Sequence, residues 1–277
     1  MESLRVIGQW PVPTAAAAVV RGRDGAVLGS YGPQEHAFPL ASVTKPLSAY
    51  AALVAVEEGV FELDDPAGPE GSTVRHLLAH TSGLAFDEHR SMAAPGTRRL
   101  YSNAGFDVLA EALEKASGIP FAQYAAEAVF QPLGMTATRI DADHRSPAGA
   151  GGVSTAADLA RFAAELQAPR LLDPSTVEAA TRTVAYPGLS GVLPGFGHQR
   201  PNDWGLGFEI RGGKSPHWTG AHSSPQTFGH FGQTGTFLWV DPAAGAACVC
   251  LTDRAFGHWS AEAWPPFTDG VLAELAR

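Results

Sequence analysis

LASVTKPLSAY, residues 40–50, sets a serine and a lysine three apart, Ser42 and Lys45, at the head of an apolar run. Residues 41 to 58 read as a helix: Ala and Leu are dense, apolar side chains recur at helical spacing, and Gly59 supplies a stop. Positions i and i+3 of a helix share a face, so Ser42 and Lys45 project together from the first turn. That end also offers unpaired backbone N–H groups and a partial positive charge, suited to a developing oxyanion. Pro46 fits the first turn, although its missing N–H leaves the Ser42 carbonyl without that partner.

Such a pair has chemistry only if the lysine can lose its proton. A free lysine, with a pKa near 10.4, is neutral about one time in 2,500 at pH 7. Being mostly neutral takes a downward shift of about 3 to 4 units, or about 4 to 5 kcal/mol. Burial and a neighbouring cation both push that way, and a neutral lysine takes the hydroxyl proton of a serine. An isolated S-x-x-K is more often a serine cap beside a lysine that reaches solvent. The pair therefore needs corroboration elsewhere in the chain.

The chain has 277 residues, 45% hydrophobic and 17% charged, which allows one large domain or two intimate lobes around a sizeable core. Its 19 Lys and Arg against 28 Asp and Glu give a net charge of -9. With no basic run, nucleic acids and anionic membranes are set aside as partners. Cys248 and Cys250 would lie two apart on one strand face, where a disulfide between them would be strained. They read as small buried apolar residues, not as redox or metal groups. The start shows no charged segment followed by an apolar stretch and a cleavage site, and no run reaches the roughly 18 apolar residues of a membrane span. The expected location is cytoplasmic, or exported if the start has been trimmed.

Two β-type runs flank Asp24-Gly25, a hairpin signal. A short helix is expected over 73 to 79, ending before HTSG, and a strong one over 103 to 117, with Asn103 as its cap and Gly118 as its stop. PFAQYAAEAVFQPLG and STAADLARFAAELQ read as two more, the second capped by Ser154 or Thr155. After about residue 184 the character changes. YPGLSGVLPGFGHQRPND reads as loop, while WGLGFEIRGG, GHFGQTGTFLWVDP and GAACVCLTD read as strands, with DPAAG the turn between the last two. PPFTDGVLAELAR reads as a closing helix with its prolines in the first turn. Strands at both ends and helices in the middle imply an α+β protein.

The corroboration comes from two further motifs. RRLYSNAGF holds Tyr101 and Asn103, a Y-x-N just before a helix, and FGHFGQTGT holds His230 and Gly232 on a strand, with a glycine where another backbone can come close. TVRHLLAHTSGL, the 103–135 stretch, GAGGVSTAADLARFA and WGLGF follow in matching order. Over roughly residues 12 to 275 the sequence resembles the serine β-lactamase and penicillin-binding-protein family. Within it, the match is to the class C branch with its D-alanyl-D-alanine carboxypeptidases and esterases.

The resemblance implies a β-lactamase/transpeptidase-like fold. Residues 1–60 and 190–277 would form a lobe of antiparallel sheet flanked by helices, residues 61–189 an all-helical lobe, with the active site between them. Carried over by position, Ser42 would be the nucleophile and Lys45 its base or electrostatic activator. Tyr101 would be the second acid/base, and Asn103 would position Lys45 and the substrate carbonyl. His230 would stand where a lysine is common, and the N–H groups of Ser42 and Gln233 would form the oxyanion hole. Gly232 and Phe231 would border the substrate. The substrate would be a small ester, amide or β-lactam, with no metal or organic cofactor. Phe231 departs from the family, which has Thr or Ser there to hold a substrate carboxylate. That departure favours a neutral ester or amide over a β-lactam or peptide end.

Competing readings are weaker. GLSGV lacks the last glycine of a G-x-S-x-G elbow. His76 and His80 are i, i+4, but the glutamate of a zinc H-E-x-x-H is absent, and packing or turn roles are favoured. His217 and His222 lie in a Gly/Pro/Ser-rich loop, 211–229, readable as a pocket wall, a lid or plain surface. Trp204, Phe208 and Trp218 are candidates for an acyl pocket, with core packing as the alternative. A non-catalytic sensor that binds acyl ligands is the other functional class.

Overall fold

The computed structural model describes residues 1–277. The expected hairpin forms: β1 (Ala15–Arg21) and β2 (Val27–Tyr31) pair antiparallel, with Gly25 at φ 68 in the turn. A short β3 (Phe38–Pro39) and a 3-10 turn over Ala41–Val43 lead into α1 (Thr44–Glu57). The helical middle follows, as α2 (Val74–Leu78), α3 (Asn103–Ser117) and α4 (Phe121–Ala125), which continues as a π turn to Phe130. Then come β4 (Arg139–Ile140), α5 (Pro147–Ala150), β5 (Gly152–Ser154), α6 (Ala156–Gln167) and α7 (Pro174–Thr181). The C-terminal part contains β6 (Gly191–Leu193), β7 (Gly197–Gln199), β8 (Glu209–Ile210), β9 (Phe228–Gly232), β10 (Thr236–Asp241), β11 (Ala246–Thr252) and α8 (His258–Leu275).

The main sheet runs β2-β1-β11-β10-β9-β8, antiparallel throughout, so both chain ends meet at its centre. Its central strands are apolar on both faces because helices cover both. Alternation sorts the side chains into two cores. Ala16, Ala18, Leu238 and Val249 face α6 and the helical middle, while Ala17, Val19, Trp239 and Cys248 face α8 and the N-terminal 3-10 segment. Cys248 and Cys250 are both buried and free on the α8 face.

Five local expectations need correction. GHFGQTGTFLWVDP is not one strand but the hairpin of β9 and β10, turned where Gly235 has φ 80. Residues 191–199 form a small hairpin, β6 with β7, and not a featureless loop; strands of three residues leave too little pattern to read. WGLGFEIRGG keeps only two strand residues, because its glycines turn it: Gly207 has φ 88, and a Cβ on Gly205 would lie 1.9 Å from the Ala180 carbonyl. The closing helix starts seven residues before Pro265, so Pro265 and Pro266 lie inside it. Burial of Trp264, Phe267 and Val271 against the sheet offsets the two lost backbone bonds. Finally, Ser102 is the cap of α3, accepting from the Gly105 N–H at 2.9 Å, which frees the Asn103 side chain.

Candidate active site

Ser42 stands in the 3-10 turn just before α1, two residues ahead of its first residue, Thr44. Its neighbour Ala41 has φ 46, a left-handed conformation that is costly for a residue with a Cβ. Flanking contacts hold it. The Leu40 N–H donates to the Gly152 carbonyl at 2.8 Å, and the Leu40 carbonyl accepts from Thr236 Oγ1 at 2.8 Å. Gly232 touches the same carbonyl: a Cβ there would lie 2.2 Å from it. The expected close backbone approach is therefore between β9 and the Ser42 turn.

Lys45 is completely buried. Its Nζ donates to Asn103 Oδ1 at 2.6 Å, to the Gly149 carbonyl at 2.8 Å and to Ser42 Oγ at 3.2 Å. All three acceptors are neutral, and no carboxylate touches it. Burial pushes the ammonium down to about 7, against weak attraction from Asp107 and Asp87. Asn103 completes its own hydrogen bonding by donating from Nδ2 to Asp87 Oδ1 at 2.8 Å. Gly149 and Asp87 carry no motif. They are neighbours of the candidate site that the sequence alone did not reveal, although Gly149 lies within a stretch that carried the family resemblance.

Tyr101 is raised well above the ordinary phenol range by burial, a shift that hydrogen bonding with Ser42 opposes. Its hydroxyl lies 3.4 Å from His230 Nε2. His230 Nδ1 lies 2.6 Å from the Phe231 carbonyl and donates to it, which leaves Nε2 as the acceptor for the phenol. Burial, reinforced by Lys45, lowers His230 to about 3, so the ring is neutral. His80, also buried, packs against Tyr101 with ring centroids 4.6 Å apart and tilted by 41°, and its Nδ1 accepts from the Ser102 N–H. His76 instead bonds to Thr73, so the two histidines do not converge on a common point.

These groups open onto a pocket of about 250 Å³ lined by Ser42, Tyr101, Trp204, Glu209, His230 and Gln233, among others. The Gln233 N–H, at the end of β9, donates to no protein acceptor. Phe231 borders the pocket, but its ring lies on the α8 face, packed against Phe256 and Trp218. Of the three aromatic candidates, only Trp204 lines the pocket. Phe208 packs on Phe228, and Trp218 belongs to the α8-side core.

The 211–229 loop does not line this pocket: part of it is exposed, and part is buried behind the pocket residue Glu209. Lys214, His217, Trp218 and Thr219 are all buried. Three of them converge on Glu209. Lys214 Nζ donates to Oε1 at 2.7 Å, His217 Nε2 lies 2.9 Å from the same oxygen, and Trp218 Nε1 donates to Oε2 at 2.5 Å. Burial pushes Glu209 up, but Lys214 and His217 outweigh it and hold the carboxylate ionised. His222 stays outside, exposed near Asp269. Glu209 carries no motif, and only its burial identifies it.

Comparison with known proteins agrees with this fold. The Beta-lactamase family model matches residues 6–273. A crystal structure of a beta-lactamase from Mycobacterium bovis is 58% identical and superposes with a TM-score of 0.96, covering 99% of this chain and 100% of that one. Esterase EstB of Burkholderia gladioli is 27% identical, the match covering 85% of this chain and 82% of that protein. The D-alanyl-D-alanine-carboxypeptidase/endopeptidase AmpH of Escherichia coli (strain K12) is 30% identical, the match covering 45% of each protein. The chain thus spans less than half the length of that relative. An antiparallel sheet with helices on both faces, and a serine and a lysine beside a tyrosine in one cleft, place the chain in the Beta-lactamase family, a family of serine hydrolases.

Proposed function

We propose that the protein hydrolyses a small ester or amide through an acyl-enzyme on Ser42. The observation that carries this is Lys45: a buried amine, down to about 7, lying 3.2 Å from the Ser42 hydroxyl with only neutral partners. Near neutral pH a large fraction of it is unprotonated and can take the Ser42 proton as Oγ bonds to the carbonyl carbon. The oxyanion that forms meets the N–H groups of Ser42 and Gln233. Collapse of the tetrahedral species breaks the bond to the leaving alcohol or amine, which takes a proton from Tyr101. Tyr101 is protonated at all ordinary pH values and suits the role of acid, with Lys45 as the main base. His230 accepts from the phenol and orients it. Water then releases the acyl group by the same steps in reverse.

The second reading, β-lactam hydrolysis or carboxypeptidase action, is favoured by the names of the Mycobacterium bovis structure and of the carboxypeptidase relative. Phe231 weighs against it, since no hydroxyl at that position meets a substrate carboxylate. The test is intact mass and product formation after mixing with 4-nitrophenyl acetate and, separately, a reactive cephalosporin. Repeated ester turnover that Ser42→Ala abolishes supports the first reading. Faster consumption of the cephalosporin than of the ester supports the second. A stable adduct without turnover on either would make the protein an acyl-binding sensor.

A further inference from the structure

A second, larger groove of about 790 Å³ adjoins the pocket and shares Phe86, Tyr101 and Pro194 with it. It lies between the 84–91 loop, closed by a Leu84–Ser91 bridge, and the β6–β7 hairpin, with residues 98–101 as its floor. Two features set it apart from the rest of the surface. Three of the five large apolar residues that the chain exposes line it: Phe86 at 51%, Met92 at 53% and Val192 at 58%. No aspartate or glutamate lines it, but Arg90, Arg98, Arg99 and Arg200 do. On a chain of net charge -9, that is a marked local reversal of sign.

The cations are largely uncompensated. Arg90 is engaged by Glu88 at 3.1 Å, whereas Arg98 and Arg200 form no ion pair and are exposed. Arg99 is 2% exposed, and its guanidinium donates only to carbonyls, those of Ala79, Ala185, Tyr186 and Asn202. Burial lowers it to about 10 and Asp203 partly counters this, so it stays charged at neutral pH. A buried guanidinium with no carboxylate in hydrogen-bond contact, beneath a groove walled by two arginines without ion partners, builds a positive potential there that Asp203 offsets only in part.

Resting on the acyl hydrolase reading, we propose that this groove binds an apolar segment of the substrate that ends in an anionic group, carboxylate or phosphate, held by Arg98 and Arg200. The scissile carbonyl lies at Ser42, the aliphatic or aryl segment runs past Phe86 and Pro194 over Met92 and Val192, and the anion meets the arginines. The substrate is then neutral at the reacting centre, where Phe231 offers no partner, and charged at its far end.

Binding is separable from turnover in the Ser42→Ala protein. Calorimetric titration would compare monomethyl adipate, methyl 6-phosphooxyhexanoate and the neutral dimethyl adipate. An anionic probe is expected to bind about fivefold more tightly than the diester, the upper range for an exposed ion pair. That advantage should disappear in Arg98→Ala/Arg200→Ala and shrink in high salt. Whichever anion binds more tightly identifies the terminus. Equal binding of charged and neutral probes, or an advantage that survives the double substitution, overturns the proposal. Failure of 4-nitrophenyl acetate turnover by the unaltered protein would overturn the hydrolase reading alone.

Discussion

Lys45 Nζ and Ser42 Oγ lie 3.2 Å apart with no carboxylate in contact with either, so the amine is held beside the hydroxyl by hydrogen bonds and not by an ion pair. A carboxylate in place of Asn103 Oδ1 or the Gly149 carbonyl would pull the lysine back toward its ordinary pKa. Burial lowers the lysine, and neutral acceptors leave that lowering without a contacting charge to oppose it, which is what the proposed role as base requires.

The pH profile follows. Activity needs Lys45 unprotonated, so kcat/KM should rise through a pKa near 7. Tyr101 titrates well above 10, and His230, near 3, is already neutral, so no falling limb is expected up to about pH 9.5. Initial rates with 4-nitrophenyl acetate in overlapping buffers would check this. A profile flat from pH 5.5 to 8.5 would remove Lys45 as the base.

Lys45→Ala and Tyr101→Phe should each lower kcat by about 10² or more, the usual size of a proton-transfer contribution. Tyr101→Phe keeps the ring packed against His80, so its fold should hold. Steady-state kinetics with melting curves would separate loss of chemistry from loss of fold. A decrease below threefold for either variant would cancel the role given to it.

The motif residues were legible because each stands next to a local signal: Ser42 and Lys45 at a helix start, Tyr101 and Asn103 before another, His230 and Gly232 on a strand. Their neighbours were not. Asp87, Glu209 and Gly149 meet the site only through tertiary packing, and nothing in LAFDEHR or GFEIRGG marks them in one dimension. Asn103 shows the limit even at a motif. Capping preference suits Asn and Ser alike, and only the hydrogen bonds assign the cap to Ser102 and the side chain to Lys45. The closing helix was misplaced for a related reason, since local propensity penalises internal prolines and cannot see the sheet that Trp264 and Phe267 pack against.

Gly232→Ala should cut kcat by about 10² and also lower the melting temperature. The added methyl would meet the Leu40 carbonyl at 2.2 Å and Thr236 Oγ1 at 2.4 Å, so β9 and the Ser42 turn must separate. That separation moves the Gln233 N–H away from Ser42. One contact is backbone and the other a buried hydroxyl bonded to that same carbonyl, so the cost falls on folding as well as on positioning. Steady-state kinetics and thermal melts would check this, and unchanged kcat would show that the turn and strand move independently.

Glu209→Gln should be strongly destabilising despite its near-identical shape. Oε1 receives Lys214 and faces His217, while Oε2 receives Trp218. An amide has one acceptor oxygen, so either Trp218 Nε1 or the Lys214 side confronts an NH2 group, and neither orientation satisfies every donor. The substitution also leaves the buried Lys214 charge without its carboxylate, although the carbonyls of Asp203 and Ile210 still accept from it. Breaking such a pair costs about 3 to 5 kcal/mol, or roughly 6 to 20 °C in Tm for a chain of this size. The pH dependence has a definite sign. The folded carboxylate is held below its unfolded value, so its contribution is present above about pH 4.3 and is lost as pH falls toward the folded value. Thermal melts at pH 7 and at stepwise lower pH would check both points: the variant should melt far below the unaltered protein at pH 7, and most of the gap should persist at pH 4, shrinking only as pH falls further toward the folded value. Equal melting at pH 7 would mean that Lys214 is adequately held by carbonyls alone.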